Sequence, residues 1–238
     1  LDEGVQIMRD AWRDGNVTFD GRRYQVDGAI VSPKPLQPAG IPLWIAGGGE
    51  KVTLKIAANY AQYTNFSAAP DEFARKSEIL AGHCREVGGD YDAIVRSANV
   101  NTVLGHSDID VQQRLQRVRD RLAGVCGDAA ADAMIAMNSA PGNATGTPDQ
   151  VVKTLTELRD LGCECVICYF PEAAYDRSGI DMFEREVMPA FAWPDSGPVI
   201  PSARRPPRRT PAGCPAARAA RACVVGSTTS RPPCPRRC

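Results

Sequence analysis

The stretch Leu43-Trp-Ile-Ala-Gly-Gly-Gly-Glu-Lys-Val-Thr53 decides the fold. It joins a short apolar run at 41–46, typical of a buried parallel strand, to three glycines and to a helix predicted over 50–60. Three consecutive residues without Cβ let the backbone come close to a ligand, and several N–H groups can point the same way. Because a helix N-terminus behind such a turn favours an anion, the sequence predicts a phosphate-type site here.

The candidate residues of this site are the three glycines, Gly47, Gly48 and Gly49, with Lys51 as a charge and the Thr53 hydroxyl as a donor. Glu50 would repel a phosphate, so we expect its side chain to point away. The segment matches neither the P-loop pattern nor the dinucleotide-binding fingerprint. A tight strand-to-helix turn that binds nothing therefore stays open as the competing interpretation.

The rest of the chain alternates strands and helices. Apolar runs predict strands over 41–46, 62–66, 95–104 and 163–170, and helical spacing predicts helices between and after them. The best-marked helix begins with a capping box at Thr147-Pro-Asp-Gln150 and ends near Gly162. An N-terminal helix ending near Gly15 precedes a hairpin with a tight turn at Asp20-Gly21. The alternation indicates a parallel α/β sheet of four strands, half the number in an eight-stranded barrel.

Charge divides the chain into residues 1–194, expected to fold, and a Pro/Arg/Cys-rich tail at 195–238. All 28 acidic residues lie at or before Asp195, whereas nine of the 28 basic residues follow it and all nine are Arg. Such a tail cannot bury enough surface to fold, so we expect disorder. Nucleic-acid binding and zinc binding through Cys214, Cys223, Cys234 and Cys238 are alternatives. Arg without Lys favours a third explanation over both, translation of GC-rich DNA in a shifted reading frame.

No membrane span and no secretory signal are visible, and cytoplasmic location is the default expectation. The first residues already have helical spacing, so we expect the chain to begin inside a longer fold. His106, which follows the third strand, is a weak candidate proton donor, and His83 is expected at the surface. Asn65 and Phe66 either line the pocket or pack. Cys163, Cys165 and Cys168 are interpreted as buried small side chains rather than metal ligands.

The run Ile41 to Ala61 resembles the fifth-strand segment of luciferase-like flavin and deazaflavin oxidoreductases. Three further stretches resemble the same family in the same order along the chain. They are the opening helix with the hairpin Phe19-Asp-Gly-Arg-Arg-Tyr24, then His83-Cys-Arg-Glu-Val-Gly88, and then Gly146-Thr-Pro-Asp-Gln-Val151 running on to Phe170-Pro171. The resemblance covers roughly residues 1–192, and its closest subgroup is the one that uses coenzyme F420.

This resemblance implies a luciferase-like (β/α)8 TIM barrel, of which residues 1–194 supply strands five to eight. The family's phosphate-binding loop falls on Gly47, Gly48, Gly49, Lys51 and Thr53. The implied chemistry is hydride transfer between F420 and a small organic substrate, and FMN-dependent monooxygenation is the alternative. No catalytic residue is assigned, because the missing strands would carry most candidates.

Half a barrel leaves strand edges unpaired, so we expect this fragment to be inactive alone. A second alternative, from a different class, is a non-enzymatic fragment with a nucleic-acid-binding tail. Otherwise the resemblance implies no nucleic-acid or membrane partner, and a homodimer is left open.

Overall fold

The computed structural model describes residues 1–37, 40–191 and 221–223. Backbone contacts divide the chain into two units, Leu1–Asn99 and Val100–Cys238, and the strand at 95–104 runs through the boundary. The expected alternation of helices with parallel strands is confirmed. The elements of the first unit are α1 (Asp2–Asp14), β1 (Asn16–Asp20), β2 (Gln25–Ile30), β3 (Trp44–Ala46), α2 (Thr53–Tyr60), β4 (Tyr63–Phe66), α3 (Pro70–Val87) and the start of β5 (Val95–Leu104).

The hairpin loop differs from the prediction of a tight turn at Asp20-Gly21. Four residues connect β1 to β2, and the N–H groups of Arg22, Arg23 and Tyr24 donate to the carboxylate of Glu3 at 3.1, 2.8 and 3.0 Å. These hydrogen bonds, with that from Arg23 foremost, lower the pKa of Glu3. A carboxylate on α1 therefore shapes the loop, which the local sequence of the hairpin could not reveal.

The parallel sheet of the first unit is shorter at its first strand than predicted. Strand β3 begins at Trp44 rather than at Ile41, because Pro42 has no N–H and the N–H of Leu43 donates to the side chain of Gln62 at 2.8 Å. Strand β3 pairs in parallel with β4, and β4 pairs in parallel with residues 95–98 of β5. One face of this sheet is buried against α2 and α3; its core residues are Ile45, Leu54, Phe66, Phe73 and Leu80.

The second unit adds two short strands that the sequence did not predict, the second of them within the tail that was expected to be disordered. Strand β6 (Ala144–Gly146) pairs in parallel with β5 from Thr102 to Leu104. Strand β7 (Cys165–Tyr169) is also a neighbour of β5 and pairs in parallel with β8 (Arg221–Cys223). The helices of this unit are α4 (Asp108–Cys126), α5 (Asp128–Asn138), α6 (Pro148–Asp160) and α7 (Ser178–Met182).

The capping box at the start of α6 is confirmed. The last predicted helix is instead three short pieces, in which α7 is followed by a π-helical turn (Phe183–Val187) and a 3₁₀ turn (Met188–Phe191). The predictions for the tail at 195–238 fall outside the described residues, apart from the backbone of β8. They stay predictions.

Two polar side chains are buried together in the second unit. Arg114 on α4 places Nη1 2.7 Å from Oε1 of Glu172, in the segment that follows β7, and 2.9 Å from the Ser178 hydroxyl. In the same unit, Val103, Val111 and Leu115 form an apolar cluster with Ile135 packed on it. In the described part of the chain, no helix combines the length and apolar character needed to cross a membrane.

Candidate functional site

The three glycines form an open turn at the carboxyl end of β3. Gly47 has φ +117°, a backbone conformation that residues other than glycine rarely adopt. Its N–H donates to the carbonyl of Asn65 on β4 at 2.9 Å. The next regular element, α2, begins at Thr53 and not at Glu50 as predicted, since residues 50–52 form a wider turn closed by the Leu54 N–H and the Gly49 carbonyl at 3.0 Å. The glycine turn therefore extends over six residues, 47–52.

This turn is a cluster of unsatisfied hydrogen-bond donors. No acceptor within the described ranges receives the N–H groups of Gly48 to Val52, and the N-cap residue Val52 offers no side-chain cap to α2. Such N–H groups together with a helix N-terminus attract an anion. The residues present therefore fit a phosphate group, and the phosphate site itself stays a prediction.

Side chains on the glycines would fill this turn. A Cβ at Gly49 would lie 2.7 Å from the Thr53 hydroxyl oxygen, and one at Gly48 would lie 3.3 Å from Cε of Lys76. Thr53 is thus adjacent to both Gly47 and Gly49, whereas the Lys51 side chain is exposed. The structure brings the predicted backbone and hydroxyl groups together, and it places the Lys51 charge at the rim.

Helix α3 holds the turn through residues that the sequence analysis missed. Lys76 is only 6% exposed, and its Nζ donates to the Gly48 carbonyl at 2.5 Å and lies 2.8 Å from Oε1 of Glu50. Glu50 also pairs with Arg75, and these two cations, Lys76 first, lower the pKa of its carboxyl. The expectation that Glu50 turns away from a phosphate agrees with these contacts, since both cations belong to α3.

His83 on α3 also contacts the turn, although the sequence predicted that it lies at the protein surface. Its side chain is 17% exposed, and its Nε2 lies 2.7 Å from the backbone oxygen of Glu50. One sequence signal could have revealed Lys76: it lies between Phe73 and Leu80 on the apolar stripe of α3, where a charged residue needs buried partners. The same helical spacing places His83, seven residues after Lys76, on that face of α3.

The remaining candidates have structural roles. Asn65 donates to Ser97 and Asn99 on β5, both at 3.0 Å, and Phe66 packs on Phe73 with ring centroids 4.9 Å apart. His106 is exposed in a loop, and its backbone N–H donates to the carboxylate of Asp110 at 3.0 Å.

The three cysteines of the fourth predicted strand are buried. They are Cys163, Cys165 and Cys168, and burial raises the pKa of Cys168 to about 11. Within the described ranges, His, Cys, Asp and Glu side chains form no cluster that could hold a metal ion.

Known proteins similar to this chain include both F420-dependent and FMNH(2)-dependent enzymes. The chain is 44% identical over 52 residues to an F420-dependent glucose-6-phosphate dehydrogenase from Mycobacterium leprae, a match covering 22% of this chain and 15% of the relative. It is 22% identical over 213 residues to an FMNH(2)-dependent dimethylsulfone monooxygenase from Pseudomonas fluorescens, covering 79% and 56%. These matches thus extend over only part of each relative.

The fold matches that of a solved luciferase-like barrel enzyme. The coenzyme F420-dependent tetrahydromethanopterin reductase from Methanopyrus kandleri superposes with a TM-score of 0.63 at 18% identity, covering 80% of this chain and 64% of the reductase. The model of the family described as "Luciferase-like monooxygenase" matches residues 1–165, which is more than half of the chain. The protein therefore belongs to the luciferase-like monooxygenase family.

Proposed function

We propose that this chain provides the cofactor-phosphate site of a (β/α)8 oxidoreductase that transfers hydride between coenzyme F420 and a small organic substrate. The observation that carries the proposal is the row of N–H groups from Gly48 to Val52 at the carboxyl end of β3, for which the described residues supply no acceptor. Ligands of parallel α/β barrels bind at that end of the strands. A phosphate there would meet backbone donors and the N-terminus of α2.

The role of the residues in this site is to bind and orient. The N–H groups of the turn donate to phosphate oxygens, the Thr53 hydroxyl is a further donor beside Gly49, and Lys51 adds a positive charge at the rim. When bound, the cofactor supplies the redox chemistry. Glu50 does not oppose the anion, because Arg75 and Lys76 neutralise its carboxylate.

FMN-dependent monooxygenation is the second candidate function. The short, high-identity match to an F420-dependent dehydrogenase favours F420, whereas the long match to an FMNH(2)-dependent monooxygenase favours FMN. Both cofactors carry a phosphate, so the turn itself does not choose between them. Substrate class, cytoplasmic location and inactivity of the isolated chain stay predictions. A homodimer and nucleic-acid binding by the tail stay open alternatives.

Direct titration of the purified 238-residue chain tests the proposal. F420 and FMN are added separately, and binding is followed by the fluorescence of each cofactor. Gly49→Ala adds a Cβ 2.7 Å from the Thr53 hydroxyl, so we expect affinity to fall about tenfold, the equivalent of one lost charged hydrogen bond. Gly124→Ala on α4 is the matched control, since a Cβ there meets no atom of the described residues within 4 Å apart from its chain neighbours and the backbone of its own helix.

The outcomes separate the candidates. Tighter binding of F420 than of FMN favours hydride transfer, and the reverse favours monooxygenation. Equal affinity of Gly49→Ala and the parent chain for the cofactor would contradict the phosphate site. A folded chain that binds neither cofactor would also contradict it.

A further inference from the structure

Two carbonyl groups of the glycine turn are held by side chains of α3. The Gly48 carbonyl accepts from Nζ of Lys76 at 2.5 Å, and the Glu50 carbonyl lies 2.7 Å from Nε2 of His83. A carbonyl only accepts, so Nε2 of His83 carries the proton in this contact. Lys76 and His83 are seven residues apart, two turns of helix, and therefore lie on one face of α3.

Peptide geometry converts these two contacts into an orientation of the donors. In a planar trans peptide the C=O and the N–H that follows it point in opposite directions. The Gly48 carbonyl faces Lys76, so the Gly49 N–H points away from α3. By the same reasoning, the Lys51 N–H points away from His83. Neither N–H has an acceptor among the residues that the structure describes.

We infer that Lys76 and His83 are positioning residues, which aim the N–H groups of Gly49 and Lys51 at the oxygens of a bound phosphate ester. This inference rests on the proposed function only for the identity of the anion. The three glycines give the turn its freedom, and the contacts with α3 remove that freedom before the ligand arrives. A turn fixed in this way loses less entropy on binding than a flexible one.

Lys76 is a positioning residue and not a direct phosphate ligand. It is 6% exposed, and its ammonium group already contacts the Gly48 carbonyl and the Glu50 carboxylate. Glu50 compensates the buried charge, so Lys76 is neutralised within the protein. The Thr53 hydroxyl and the exposed Lys51 remain as the side chains able to touch the anion directly.

The test compares four variants of the full chain, Lys76→Met, Lys55→Met, His83→Leu and His106→Leu. Lys55 on α2 and His106 are exposed and outside the turn, so they are matched controls for the same chemical changes. F420 and inorganic phosphate are the probes. The affinity for F420 is read from its fluorescence, and the affinity for phosphate from its competition with F420. The ¹⁵N–¹H resonances of Gly49 and Lys51 in the ligand-free chain report their orientation, and circular dichroism reports folding.

We expect Lys76→Met and His83→Leu to weaken F420 and phosphate binding about tenfold and to shift the Gly49 and Lys51 resonances before any ligand is added. His83→Gln, which keeps an N–H donor, should recover most of the affinity. The two control variants should bind like the parent chain. If Lys76→Met does not fold, the comparison of His83→Leu with His83→Gln decides the question.

Unchanged affinity in folded Lys76→Met and His83→Leu would overturn the positioning role while leaving the proposed function intact. If the parent chain binds neither probe, the proposed function fails. The ligand-free resonances would still decide the orientation in that case, because unshifted Gly49 and Lys51 signals would reject it.

Discussion

Replacing Arg114 by Met should destabilise the second unit severely, because it leaves a buried carboxylate without its cation. The side chains of Arg114 and Glu172 are 8% and 4% exposed, and their closest charged atoms lie 2.7 Å apart. Removing one partner of such a pair costs about 3–5 kcal/mol. Domain stabilities are typically about 5–15 kcal/mol, so the loss is a large fraction of the total.

The assay is urea unfolding at 25 °C, followed by circular dichroism. At an m-value of about 2–3 kcal/mol/M, the predicted loss moves the midpoint down by about 1–2.5 M. The matched control is the double variant Arg114→Met with Glu172→Gln, which removes the stranded charge and should recover at least half of the lost stability. Glu172→Gln keeps nearly the same volume, so no cavity confuses the comparison.

The pH dependence of the stability loss in Arg114→Met is a second, independent check. Burial raises the pKa of Glu172, and Arg114 opposes that effect. Without Arg114 the pKa should rise further, so the folded state would bind a proton more tightly than the unfolded state. The contribution of Glu172 to stability is then fully present below the unfolded pKa, about 4.3, and is lost as pH rises through the folded pKa. The deficit of Arg114→Met should therefore be larger at pH 7 than at pH 4.

Two results would refute this reasoning. One is a loss below about 1 kcal/mol at pH 7, the range of an exposed pair. The other is a double variant as unstable as Arg114→Met alone, which would indicate that lost packing of the arginine, and not a stranded charge, is responsible.

Three further predictions concern single side chains. Glu3→Gln should flatten the acid limb of the stability curve, because the lowered pKa of Glu3 gives stability that is present above its unfolded pKa, about 4.3, and lost as pH falls through its folded value; an unchanged limb in acid titration followed by circular dichroism would contradict this. Thr147→Ala should cost about 1 kcal/mol in urea unfolding by removing the N-cap of α6, and a loss below about 0.3 kcal/mol would reject the cap. At pH 8, iodoacetamide should label exposed Cys126 well before Cys168, whose pKa is raised to about 11, and peptide mass spectrometry that finds equal rates would disprove it.

Elements with strong local signals were predictable from the sequence. Strand β5 has the predicted bounds Val95–Leu104, and α3 is one of the helices predicted between the strands. The capping box at Thr147 marked the start of α6 correctly. In each case the deciding interaction lies within a few residues along the chain, so local patterns contain it.

The misses depend on contacts between distant residues. The conformation of the hairpin loop depends on hydrogen bonds to Glu3, which is about 20 residues away along the chain. Strand β6 is only three residues long, with alanine and glycine at its ends. The glycine turn was predictable because glycine freedom is a local property. Its attachment to Lys76 and His83 was not, since it spans 28 and 33 residues of sequence.

Strand β3 also carries an intrinsic optical label. The indole of Trp44 stacks on Tyr63 with ring centroids 4.9 Å apart, is 43% exposed and lies three residues before Gly47. Emission from a partly hydrated indole changes with its surroundings, and a flavin or deazaflavin absorbs where tryptophan emits. In a chain with Trp12 and Trp193 replaced by Phe, quenching of Trp44 would report cofactor arrival from within the strand that leads into the turn, without an added dye.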